Sequence, residues 1–501
     1  MAVGLQRLGI QDQQCVALLT ANDPYYYVLG DGVVAAGAVF CGLSTPDKAG
    51  ELATSLKVAT VDWLFASKPM LPLALEAART AGIPDEHVVL FDPPGREDSH
   101  GETRHTFSQM LSDEESQWQP PLQGRDPSHV IAFRMMTSGT TGSPKAVNLS
   151  HARAIARFGK GPVSGRPQAK RLHCFGAYHL SAQAWFRWAL RGDEQLFLSA
   201  STSALDIVDS IAKHKASRCT VVPRHMDEMV TLIDSGTRHK SALESLSGLM
   251  VIGSVPQQST LQRIASVLPD NAYVGSIYGL TECGSISYTA KGKGTPWPYG
   301  DVGPPRADCQ VKILPLNGSE ETLAPHSEGE VCVRNPYTFD HYHDDPDATK
   351  AAFLHLEDGL WFRTGDVGRL CASTGHLILS GRIKEVFRAE ETSVMPGEVE
   401  RAIAELPCVA DVAVWHTASR ASEDDLEAIA YVARKRGAPT TSAQKVVDHV
   451  AGLLSRQKVP TGGVVFVESI PRNALGKIKR RALEMLRPLE GSERFLVPSL
   501  G

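Results

Sequence analysis

Short apolar runs closed by turn residues alternate with apolar residues at helical spacing along most of the chain. Val16-Ala17-Leu18-Leu19, Val58-Ala59-Thr60-Val61 and Val88-Val89-Leu90-Phe91 have the length and composition of buried strands. Between them, Asn22-Asp23-Pro24 opens a helix over Tyr25 to Cys41, and Leu73 to Ala81 carries a second helical pattern. Strands alternating with helices predict a parallel or mixed sheet with helices on its faces. From about Asp92 to Ser128 the chain is polar and rich in Pro, Gly and acids, which predicts a long surface connection.

The pattern then repeats. Val130 to Met136 is a β-prone run, and Ala146-Val147-Asn148-Leu149 is a strand followed by Ser150 as the N-cap of a helix through Phe158. Cys219-Thr220-Val221-Val222-Pro223 reads as a buried strand with a turn. Leu261, Ile264, Ala265 and Leu268 line one helix face and precede the strand Ala272 to Ile277. Asp358 to Asp366 reads as turn-rich. Gly381-Arg382-Ile383-Lys384-Glu385 breaks the pattern. Beyond it come a helix opened by Pro396, strands at Val409 to Val414 and Ala428 to Val432, a helix at Val446 to Leu454, and a strand at Val464 to Val467. That tail is a small α/β unit of its own, so a domain boundary is expected at about Arg382 to Glu385.

Four stretches carry candidate chemistry. Thr137 to Gly142 holds six consecutive Thr, Ser or Gly residues, and Pro144-Lys145 closes the stretch. Small side chains let backbone N–H groups approach an anion, the hydroxyls add donors, and lysine suits phosphate as a point charge. The spacing is not that of G-x-x-x-x-G-K-[ST], which excludes a P-loop NTPase, while an ordinary turn between strands would use the same residues. Tyr278-Gly279-Leu280-Thr281-Glu282-Cys283-Gly284 presents an aromatic, a hydroxyl and a carboxylate at a strand end, an arrangement suited to a nucleotide and a metal. Asp366 is a candidate acceptor for two ribose hydroxyls. Pro471 to Lys479 is a polar, Gly-containing loop opening a basic helix, which could equally be a solvated lysine face.

Composition narrows the class without naming a ligand. A chain of 501 residues with 42% apolar and 21% charged residues is globular and long enough for more than one domain. Its 51 basic and 56 acidic side chains leave a net charge of −5, with no general footprint for nucleic acid or an anionic membrane. Nine cysteines are scattered without a C-x-x-C pair, which argues against a disulfide framework or a common zinc site and for a reducing compartment. No run is long enough to span a bilayer, neither end carries a recognisable targeting signal, and a cytoplasmic location is expected.

Taken together and in this order, TSGTTGSPK (Thr137–Lys145), YGLTECG (Tyr278–Gly284), WFRTGD (Trp361–Asp366), GRIKE (Gly381–Glu385) and PRNALGK (Pro471–Lys477) resemble the adenylate-forming, AMP-binding superfamily. That superfamily includes acyl-CoA synthetases, adenylation domains and luciferases, and the resemblance covers about Val16 to Leu486. It implies an α/β fold with a large N-terminal AMP-binding domain of mixed and parallel sheets flanked by helices, over residues 1–381. A hinge over 382–385 and a small mobile C-terminal α+β lid over 386–501 would follow.

The implied reaction has two steps. A carboxylate attacks the α-phosphorus of ATP to give acyl-AMP and pyrophosphate, and a thiol then displaces AMP. By the resemblance, Thr137, Ser138, Gly139, Thr140, Thr141, Gly142 and Lys145 hold the β- and γ-phosphates. Tyr278 and Gly279 lie at the adenine, Thr281 contacts the α-phosphate, Glu282 holds Mg2+, and Asp366 and Arg382 take the ribose. Lys477 enters from the lid as the catalytic cation, and Lys384 is the hinge. Tyr178, His179, Gly253, Ser254 and Ser276 line the acyl pocket, with Trp185 and Arg224 as further candidates and Arg224 as an anchor for a second carboxylate. His179 could instead be a buried structural histidine.

The substrates expected are a small-molecule carboxylic acid (fatty or aryl), ATP, and CoA. The alternatives are transfer to a carrier-protein phosphopantetheine, or a catalytically inactive protein that binds nucleotide or acyl ligand. Two departures from the family pattern bear on this. The first helix and strand look absent, which would expose apolar surface, and Glu391 stands where many CoA ligases have Gly beside the pantetheine tunnel.

Overall fold

The computed structural model of the chain describes residues 1–45, 48–95, 103–111, 115–137, 144–159, 169–192, 194–199, 201–256, 258–295, 297–298, 300–389, 392–418, 426–435, 441–472 and 477–489. Three sheets build the part before Arg382. The first runs in the order His341–Tyr342, Lys145–Ser150, Ile131–Thr137, Val39–Gly42, Cys15–Leu19, Trp63–Ser67, Val88–Phe91. Its last five strands are mutually parallel, and the hairpin Ile131–Thr137/Lys145–Ser150 is antiparallel. The second runs Gly284–Gly292, Tyr273–Leu280, Gly248–Val251, Arg218–Val221, Lys170–His173, Gln195–Leu198, parallel except for its first strand. The third is antiparallel and centres on Gly359–Leu370, which pairs with Gly329–Arg334, Phe353–Leu356 and Leu377–Arg382.

Beyond the 3-10 turn Ile383–Glu385 lie a short hairpin, Phe387–Ala389 with Thr392–Val394, and a three-stranded sheet of Val409–Ala418, Leu426–Arg434 and Gly463–Val467. Helices Pro396–Ala404 and Ala443–Ala451 bury Val399, Ile403, Val446 and Val450 in the core of this unit. Among the described residues, the apolar clusters divide here: those of the large part reach Leu379, and those of the small part begin at Phe387.

Several elements differ from the sequence reading. The helix from Tyr25 ends at Ala35, because Gly37 turns the chain at φ 89° and the apolar run Val39–Gly42 is a buried central strand. Val58 closes a helix, Ala49–Val58, whose Leu52, Ala53 and Leu56 face inward. Thr60, at φ 46°, then redirects the chain, and the strand is Trp63–Ser67, buried at every residue. Pro223 is the first residue of a helix, Pro223–Asp234, a position where its missing N–H costs nothing. The stretch read as turns before Asp366 is the twelve-residue strand Gly359–Leu370. The basic helix expected after Lys479 is the 3-10 turn Arg480–Met485.

The polar connection after Asp92 is held down by Phe107, which is fully buried, and by Asp92, which accepts from the N–H and hydroxyl of Ser108. At the N-terminus, helix Ala2–Leu8 buries Val3 and Leu5. Gly4 there is close-packed, since a Cβ on it would lie 2.1 Å from the Met110 carbonyl oxygen. The large apolar side chains exposed among the described residues before Arg382 include Val28, Leu111, Trp118, Ile155 and Leu190. All nine cysteines are free thiols, and no helix among the described residues is long and apolar enough to cross a membrane.

Candidate active site

Two hairpins and one cross-strand pair assemble the site. Register sets Thr137 opposite Lys145 at the loop end of the first hairpin. Ser138, Gly139, Thr140, Thr141 and Gly142 lie outside the described residues, so only the two ends of the phosphate-loop candidate are placed. Lys145 Nζ sits 4.7 Å from the ring centroid of Tyr342 and 3.8 Å from Asp345 Oδ2. The Tyr342 hydroxyl donates to Glu282 Oε1 at 3.0 Å. One tyrosine thus links the end of the first hairpin to the tip of the second.

That second hairpin, Tyr273–Leu280/Gly284–Gly292, carries Thr281 and Glu282 in its turn. Gly279 allows the close return of the chain, since a Cβ there would meet the Gly284 carbonyl oxygen at 2.2 Å. Arg157 fixes the turn from behind, donating to the carbonyls of Thr281 (2.9 Å), Glu282 (3.2 Å) and Tyr337 (2.7 Å). Burial lowers the Arg157 pKa to about 10, which leaves it charged at neutral pH.

Asp366 and Arg382 are direct cross-strand partners, so their ion pair, Nε to Oδ1 at 3.0 Å, follows from register. The Tyr278 hydroxyl donates to the other oxygen of Asp366 at 2.7 Å. Burial works against the Arg382 charge, but Asp366 and Glu385 more than offset it and raise its pKa.

Lys477 comes from the small domain. Burial lowers its pKa to about 8 and nearby Arg382 pushes the same way, while Asp366, Glu282 and Glu385 favour its charge. Arg480, three residues on, anchors this segment: it pairs with Glu385 at 3.0 Å and Glu400 at 2.5 Å and donates to the Val414 carbonyl at 2.7 Å. His179 is pushed down to about 4 by burial and then by Lys477, so its imidazole is neutral at pH 7. Its ring lies 4.3 Å from that of Tyr178. Lys384 sits in the 3-10 turn Ile383–Glu385, where burial and Arg382 lower its pKa.

Two cavities meet at these residues. One, of about 940 Å3, is lined by Ser254, Ser276, Tyr278, Asp366 and Arg224. The other, of about 1210 Å3, is lined by Thr137, Tyr178, His179, Trp185, Thr281 and Glu282. Gly253, Gly279, Arg382 and Lys477 line both. Tyr178, His179 and Trp185 are therefore brought together, whereas Ser254, Ser276 and Arg224 face the cavity on the Asp366 side.

Sequence reasoning missed Tyr342 and Arg157. Tyr342 gave no local signal, since its two-residue strand, His341–Tyr342, is defined only by pairing with Asn148 and Val147. Arg157 did: it shares a helix face with Ala154 and Phe158, and an arginine on an apolar face needs buried acceptors.

Glu282 offers a carboxylate at the turn of the second hairpin, linked to Lys145 through Tyr342, and no group of three or more His, Cys, Asp or Glu side chains gathers among the described residues. That donor set suits a hard cation sharing its shell with phosphate oxygens rather than one caged by protein alone.

The family model described as AMP-binding enzyme matches residues 1–343, and that described as AMP-binding enzyme C-terminal domain matches residues 398–477. Phenylacetyl-CoA ligase epaB of Aspergillus niger is 30% identical over 97% of this chain and 89% of that relative. Nicotinic acid-CoA ligase pyr1 of Aspergillus fumigatus is 26% identical over 97% and 89%. Among solved structures, the amide bond synthetase McbA from Marinactinospora thermotolerans superposes with a TM-score of 0.78 at 22% identity, over 97% of this chain and 92% of that one. The anthranilate CoA ligase AuaEII with anthranoyl-AMP gives 0.78 at 21%, over 97% and 89%. At these identities the two structures establish the fold.

Proposed function

Because the chain belongs to the AMP-binding enzyme family, we propose that it is an AMP-forming acid–thiol ligase that activates a carboxylic acid with ATP and passes the acyl group to CoA. The observation that carries this reading is the place of Lys477: desolvated, at the junction of two cavities, among Asp366, Arg382, Glu282 and His179. Carboxylate and triphosphate repel each other, so bringing them together needs fixed positive charge where charge builds during attack.

In this reading Lys477 bridges the acid and the α-phosphate, and Thr281 donates to the same phosphate. Thr137, Lys145 and the loop between them hold the departing pyrophosphate. Asp366, set by Arg382, accepts from the ribose hydroxyls, while Tyr278 and Gly279 flank the base. Glu282, oriented by Tyr342 and the Arg157 clamp, holds Mg2+, which supplies charge neutralisation at the phosphates. Tyr178 and the neutral His179 border the acid. Residues 1–381 form the AMP-binding domain and 386–501 the lid, with Lys384 as the pivot that lets Lys477 withdraw before the thiol attacks.

Two measurements test it. Pyrophosphate release across a panel of fatty and aryl acids, with thioester formation followed in the presence of CoA, is expected to be positive for both. Pyrophosphate without thioester would move the acceptor to a carrier protein, and no release with any acid would favour a binding protein. Second, the charged form of Lys477 predominates below about pH 8 and is lost above it. Adenylation kcat/KM is therefore expected to fall as pH rises through about 8, and the corresponding limb of kcat to lie higher, because bound triphosphate favours the protonated amine. A profile flat to pH 9.5 would contradict the role of Lys477.

A further inference from the structure

The larger cavity has a second end, away from Lys477, whose chemistry nothing above uses. Arg171, Arg218, Gly248 and Tyr273 stand in one row across four neighbouring parallel strands. Residues in such a row point to the same face of a sheet. Gly248 has no side chain, and the Tyr273 ring lies over it: a Cβ there would be 2.3 Å from Tyr273 Cζ. The Arg171 guanidinium lies 4.0 Å from the ring centroid of Trp185. Arg171, Arg218, Tyr273 and Trp185 all line the cavity, together with Tyr288.

The charge here does not balance. Arg171, only 3% exposed, pairs with Glu194 at 3.0 Å. Arg218 reaches the other oxygen of the same carboxylate at 3.7 Å, longer than a hydrogen bond. Glu194 is itself 6% exposed and is not among the cavity's lining residues. Two guanidinium groups thus face the cavity against one carboxylate. Among the described residues, the other ionisable groups lining this end of the cavity do not cancel the excess. Burial raises the Tyr288 pKa and His173 is held neutral, its pKa lowered to about 3, while Arg306 is matched by Asp308 at 3.2 Å.

An all-apolar acyl tail would cover this excess charge without pairing it, which is costly. We propose that the acid this site takes carries a second oxyanion, such as a distal carboxylate, which Arg218 and Arg171 bind with the Tyr273 hydroxyl beside them. The proposal rests on the ligase reading for the identity of the reacting end, but the distal pocket can be tested apart from it.

The test compares matched pairs, 4-carboxyphenylacetic with phenylacetic acid and suberic with octanoic acid. Each acid is followed by pyrophosphate release and, separately, by calorimetric binding in the presence of α,β-methylene-ATP. In the wild type the diacid is expected to be favoured at least about tenfold, the range of a buried charged hydrogen bond. Arg218→Met is expected to bring that ratio close to one, and Arg218→Lys to restore part of it. A wild-type ratio at or below one, or an unchanged ratio in Arg218→Met, would overturn the proposal. If no acid releases pyrophosphate, the ligase reading fails, and the binding ratio alone decides the distal site: tighter diacid binding that Arg218→Met abolishes supports it, and equal binding rejects it.

Discussion

Lys477→Ala is expected to lower adenylation by about 100- to 1000-fold, the range for removing one preorganised donor from a developing charge. Thioester formation from supplied acyl-AMP and CoA should be nearly unchanged. The split follows from where the lysine stands. It comes from the small domain and enters a site whose other charges, Asp366, Arg382 and Glu282, belong to the large one. It can therefore serve a step for which the lid is in this position and be absent from the next. Single-turnover pyrophosphate release and thioester formation, measured on the same preparation, check both halves. Equal loss of both steps would show that Lys477 holds the fold or the lid rather than the attacking carboxylate.

The second large effect is on stability. Arg157→Leu removes the side-chain donor from three carbonyl oxygens and leaves those of Thr281 and Tyr337 without it, while that of Glu282 still accepts from the Phe339 N–H at 2.7 Å. Each stranded acceptor costs about 1–3 kcal/mol, and the losses are not additive, so a total of about 2–4 kcal/mol is expected. Arg157→Lys should recover only part, since one ammonium cannot reproduce a planar fork spread over three acceptors. Thermal midpoints of the three proteins check the order wild type, lysine, leucine. The KM for ATP should rise in the lysine variant, because the turn carrying Glu282 loosens. A lysine variant with unchanged midpoint and KM would reduce Arg157 to a bystander.

How much of this was legible before the structure depended on the range of the forces involved. Helix faces such as Val399 and Ile403, or the Ser150 cap, which accepts from the Arg153 N–H, are set by neighbours a few residues away and could be read directly. The strand Val39–Gly42 could not. It follows the small apolar run of the helix from Tyr25 with no polar break, and pairing with Cys15–Leu19 and Ile131–Thr137 decides the matter. The same holds for Gly359–Leu370, whose glycines read as turns until three partner strands fix it. Within the site, residues in recognisable strings were findable, whereas Tyr342 and the Arg171–Arg218 row exist only through long-range register. Ser138 to Gly142 and Glu391 fall outside the described residues.

In the ligase reading, the ion pairs on either side of Lys384 bear on how the small domain would turn. Asp366–Arg382 ties the first hinge residue to the large domain, and Glu385–Arg480 ties the last one to the small domain. A swivel confined to Ile383 and Lys384 would break neither pair, but it would draw Lys477 away from Asp366 and Glu282 and Arg382 away from Glu385. In the ligase reading, bound triphosphate would add to the attraction that these carboxylates already exert on Lys477. Departure of pyrophosphate would remove most of that added charge and weaken the restoring force. The chemistry itself would time the rotation, the leaving group acting as the latch that its own release undoes.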